Sequence, residues 1–74
     1  MNKQKRKTLA EAIGRLESAQ DKIQYVLDEE QEALYNLEEK FSGTERYQAM
    51  EEAAEILEEQ IGAISSVIDA VSEI

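Results

Sequence analysis

Apolar residues recur through the first half of this chain at alternating steps of four and three. Leu9, Ile13, Leu16, Ile23, Leu27, Leu34, Leu37 and Phe41 hold this seam, and Gln20 and Glu30 fill its two polar positions. Such spacing is the heptad signature of an amphipathic helix. Ala12, Ala19, Val26 and Ala33 line one flank, and a stripe three positions wide per heptad suits a bundle better than a two-stranded coil. The second half repeats the pattern with Tyr47, Met50, Ala54, Leu57, Ile61, Ile64, Ile68 and Val71. Beside that seam runs a second stripe of Ala49, Ala53, Ile56, Gln60, Ala63, Val67, Ala70 and Ile74. Between the halves, Ser42, Gly43 and Thr44 form the only cluster of turn residues, and proline is absent. The pattern predicts an all-α fold: a helix over 8–41, a turn over 42–44 and a helix over 45–73, closed as an antiparallel hairpin.

Capping signals set the expected ends. Thr8 with Glu11 reads as a capping box, which leaves 1–7 as a basic flexible tail, and Ser42 with Glu45 reads as a second box. Gly43 is placed to end the first helix in the left-handed conformation. A reversal centred near residue 43 pairs Leu37 with Met50, Leu27 with Ile61, Ile23 with Ile64 and Leu16 with Val71. Glu30 then faces Leu57 and Gln20 faces Ile68. Polar residues on a seam fix register or reach out to water more often than they bind a ligand.

The second helix is apolar on two adjoining faces, and one antiparallel partner covers only one of them. At 74 residues without cysteine, the chain has neither the length for a large core nor a disulfide to support a small one. Both facts call for a further cover, either a different protein or larger assembly or, as expected here, a second copy in a homodimer whose two hairpins form a four-helix bundle. Ala53, Ile56, Gln60, Ala63, Val67, Ala70 and Ile74 are its expected self-association surface.

Charge and chemistry narrow the functional classes. The net charge is −9, but Lys3, Lys5, Arg6 and Lys7 supply half of the eight basic residues, so 8–74 sets four bases against seventeen acids. Such a body attracts basic partners and repels nucleic acid and membrane surfaces. The four amino-terminal cations lack interleaved aromatics and allow only weak nucleic-acid contact. Without histidine, cysteine or a glycine-rich phosphate loop, the chain offers little to catalysis; no enzyme, cofactor or metal site is expected. Glu51, Glu52, Glu55, Glu58 and Glu59 read as a solvated outer face. The expected partner surface combines Asp21, Tyr25, Asp28, Glu29 and Glu32 with Glu51, Glu55, Glu58 and Glu59. The longest apolar candidate, 61–74, is too short and too polar to span a bilayer, and the start lacks a signal-peptide pattern, so a cytoplasmic location is expected.

The stretch from Ala33 to Arg46, ALYNLEEKFSGTER, followed by Met50-Glu51-Glu52-Ala53-Ala54, resembles a group of small acidic proteins encoded by phages, prophages and integrative elements of Gram-positive bacteria. The resemblance covers about half the chain. It departs from the group at Glu38, where proline is common; Asn36 with Glu39 can still cap a short turn, which would stop or bend the first helix near Asn36. The resemblance brings no catalytic residues and implies an accessory protein of a mobile element. The expected function is protein binding, including inhibition of a nucleic-acid-handling or defence protein by an acidic, DNA-mimicking surface. The alternative is a structural dimerisation module or small chaperone for a phage component.

Overall fold

The computed structural model of this chain describes residues 1–41 and 43–74, the side chains of 38–41 excepted. It is an antiparallel hairpin of α1 (Lys3–Phe41) and α2 (Glu45–Ser72), with Cα extents of 57 × 15 × 13 Å. At 1.5 Å per residue the 39-residue α1 accounts for the whole long axis, and the 28-residue α2 covers about three quarters of it.

Burial follows the seam residue by residue. Leu27, Tyr47 and Ala54 are buried, and every other described seam residue is half-buried. Off the seam, only Ala33 among the described side chains is better than exposed. Three buried residues among those described make a thin core, since fully burying a Leu-sized side chain stabilises by only about 1.5–3 kcal/mol.

The ends differ from the expectation in three ways. α1 begins at Lys3, capped by Asn2, whose Oδ1 accepts from the Lys5 N–H at 2.8 Å while its carbonyl accepts from the Arg6 N–H at 3.1 Å. The basic segment is therefore helical rather than a flexible tail. Thr8 is not a cap; its hydroxyl donates to the Gln4 carbonyl one turn back, at 3.1 Å. Four cations in a first turn and a half oppose α1's own dipole; α2 ends short of them, with no base in its own last turn. Arg6 spans the gap, its Nη1 donating to the Ile74 carbonyl at 2.9 Å.

At the reversal, α1 continues past Asn36 to Phe41, and Thr44 caps α2 from an extended conformation by accepting the Tyr47 N–H at 3.2 Å. Glu45 is the first helical residue. No glycine has positive φ, so Gly43 does not provide a left-handed stop. The placements expected for Ser42 and for the Phe41 side chain lie outside the described residues.

Register differs as well. Gln20 Nε2 donates to the Ile61 carbonyl at 2.9 Å and to Ser65 Oγ at 2.6 Å, a turn short of the expected Ile68. Ile13 and Val71 line one groove at the open end, and Leu37 and Tyr47 line another near the turn. Antiparallel helices of equal rise keep that offset between these points, which sets Leu27 level with Leu57 and Glu30 level with Ala54. The expected pairs were about half a heptad out. Seam spacing alone admits either offset; the one adopted gives the Gln20 amide two polar partners instead of an apolar side chain. Glu30 is half-buried opposite a small residue, and among the described residues no buried side-chain nitrogen or oxygen lacks a hydrogen bond.

Candidate protein-binding surfaces

A residue beside a seam position is turned about 100° from it, to one side if it precedes and to the other if it follows. In an antiparallel pair a two-fold perpendicular to both axes exchanges the helices without inverting those sides. Residues that precede the seam therefore share one side of the hairpin on both helices, and residues that follow it share the other. Ala10 and Ser72, which follow Leu9 and Val71, accordingly line one groove.

The preceding side carries the apolar stripes of both helices, with Arg15, Lys22, Glu29 and Arg46 among them. α1 contributes Ala12, Ala19, Val26 and Ala33; α2 contributes Ala49, Ala53, Ile56, Gln60, Ala63, Val67, Ala70 and Ile74. All but Ala33 are exposed, with Val26 at 49%, Ile56 at 56%, Val67 at 48% and Ile74 at 54%. The expected self-association residues therefore do fall together, uncovered. The hairpin adds the flank of α1 to them, which the sequence showed only as a widened stripe until the chain reversal placed it. Because most of these side chains are alanine, the side is shallow and lets another helix approach closely.

The following side is acidic. Glu17, Asp21 and Asp28 of α1 and Glu51, Glu55, Glu58 and Asp69 of α2 project from it, all exposed. Among the described residues of the two-helix region, from Ala10 to Ser72, no base lies on this side; Arg15, Lys22 and Arg46 all precede seam positions and lie with the alanines. The expected partner surface is thus divided. Asp21, Asp28, Glu51, Glu55 and Glu58 share the acidic side, whereas Tyr25, Glu32 and Glu59 sit on the outer backs of their helices and Glu29 rims the apolar side. Glu17 and Asp69 join the acidic side and were missed in the sequence. Their signal was the same: each directly follows a seam residue.

Tyr25 and Tyr35 face outward, at 64% and 80% exposed. Glu29, one turn on, accepts a hydrogen bond from the Tyr25 phenol, and its charge adds to that bond in raising the phenol above its ordinary value near 10. Gln24 Nε2 similarly donates to Asp28 Oδ1 at 2.9 Å. Such one-turn pairs stabilise a helix by about 0.2–0.5 kcal/mol each. No group of three or more potential metal ligands occurs among the described residues, and no described helix is long and apolar enough to cross a membrane.

Comparison of the chain with protein families, with curated proteins and with solved structures finds no match in any of the three.

Proposed function

We propose that this chain is a non-enzymatic protein-binding rod whose acidic side docks in the basic groove of a partner. One observation carries the reading: seven carboxylates on one side of the hairpin with no described base among them. A surface of that kind focuses negative potential along one strip and competes with a phosphate backbone for a groove built to hold one. The partner class that fits is a nucleic-acid-handling or defence protein of the host cell. The resemblance of 33–54 to small acidic proteins of mobile elements supports an accessory role in such an element, acting in the host cytoplasm.

Affinity capture from a host lysate tests this at two ionic strengths. The expected result is recovery of a basic nucleic-acid-binding protein at low salt, its loss at high salt, and its loss in the triple variant Glu51→Lys, Glu55→Lys, Glu58→Lys. Capture that ignores both salt and charge reversal refutes it.

A second reading, a structural or assembly module, is favoured by the uncovered apolar side, which a monomeric inhibitor has no need of.

A further inference from the structure

The hairpin exposes 5926 Å² of surface. A globular monomer of its 8.4 kDa exposes about 4,600 Å². The excess of about 1,300 Å² per chain, doubled across two chains, falls within the roughly 2,000–5,000 Å² that obligate homodimers bury. The hairpin also leaves uncovered a side that carries an apolar stripe from each helix.

We propose that the alanine side is the interface between two copies of this chain, and that α1 contributes to it through Ala12, Ala19, Val26 and Ala33 as α2 does through its stripe. The inference rests on the assembly reading and is independent of what the acidic side binds. The area excess fits a second copy as the occupant, and charge permits it. Of the exposed acids only Glu29 directly precedes a described seam residue, where it is outnumbered by Arg15, Lys22 and Arg46, so two such sides meet without a ladder of opposed carboxylates. Charge also limits the assembly: the acidic sides face outward from the pair and repel further hairpins, so the bundle closes at four helices.

Sedimentation equilibrium at micromolar concentration tests this with four chains. The unaltered chain has a mass twice 8.4 kDa. Val26→Asp on α1 and Val67→Asp on α2 each weaken the pair at least a hundredfold, since a two-fold axis places every substitution in the interface twice. Gln31→Asp on the acidic side adds the same charge and changes the dissociation constant by less than threefold. Should either aspartate variant lose helix, Val26→Ala, which improves helix propensity, replaces it and weakens the pair about tenfold. A monomeric unaltered chain overturns the interface, as does a mass beyond the dimer. Val26 variants as benign as Gln31→Asp overturn the part assigned to α1. A monomer that still captures a basic partner overturns this interface and leaves the acidic-side reading standing.

Discussion

Among the described residues, Gln20 is the one seam residue of α1 that hydrogen-bonds across to α2, and its worth can be measured. Its Nε2 donates to the half-buried Ile61 carbonyl and to the exposed Ser65 hydroxyl, at 2.9 and 2.6 Å. A hydrogen bond of this kind adds about 0.5–1.5 kcal/mol net. The Ile61 carbonyl lies mid-helix, where the α2 ladder already supplies a donor, and Ser65 is open to water, so Gln20→Ala strands no buried group. Its cost is therefore the two bonds plus the stem's packing, about 1–2 kcal/mol, with little added desolvation penalty. Ser65→Ala removes only the weaker, exposed bond, and costs about 0.5 kcal/mol. Urea denaturation followed by circular dichroism, at one fixed protein concentration so that any association cancels, gives both values and the double variant. The two residues touch, so their effects are non-additive by about 0.5 kcal/mol. A Gln20→Ala cost below about 0.3 kcal/mol, or strict additivity within that margin, refutes the claim that this amide holds the register.

Three further outcomes follow from local geometry. Gly14 and Gly62 lie inside helices with nothing within 4 Å of where a Cβ would stand, so Gly14→Ala and Gly62→Ala each stabilise by about 0.5–1 kcal/mol in the same assay. Thr44→Ala removes the α2 cap and costs about 1 kcal/mol, whereas Thr44→Asp, which keeps an acceptor for the Tyr47 N–H, costs less than half that. Spectrophotometric titration places the Tyr25 phenol above the unfolded value near 10, and Glu29→Gln lowers it. Because the folded state holds that proton more tightly, the stabilising contribution is whole below pH 10 and is lost as pH rises through the folded value. A Tyr25 titration unchanged by Glu29→Gln refutes the pairing.

Much of this fold was legible because a two-helix hairpin has one interface, and periodicity reports interfaces directly. Every described residue of both seams, from Leu9 to Leu37 and from Tyr47 to Val71, is buried or half-buried. What periodicity cannot report is how the seams slide, and that choice fell to the partners of Gln20. The start of α1 was misread for a related reason. Lys3 to Lys7 look hostile to a helix N-terminus when α1 is considered alone, yet Asn2 caps the helix there and Arg6 reaches the Ile74 carbonyl of the returning chain. The surfaces were legible in part. The α2 stripe and the Glu51–Glu58 run stood out along the sequence, but the union of Ala12, Ala19 and Val26 with Val67 and Ile74 exists only once the chain has turned back. The same reversal drew Glu17 and Asp69 into the acidic side and left Tyr25 off it.

The unequal lengths of α1 and α2 give the rod a further property. The first turn and a half of α1 stands past the end of α2 and carries Lys3, Lys5, Arg6 and Lys7, while 8–74 sums to −13 from four bases and seventeen acids. The molecule is thus a permanent electric dipole about 57 Å long. Screening at physiological salt acts over about 8 Å, so tip and flank are felt separately by anything that approaches. A field therefore exerts a torque before contact: an anionic wall draws the amino-terminal tip and meets the rod end-on, and a cationic groove turns it broadside. The overhang makes the angle of approach depend on the charge of the surface approached.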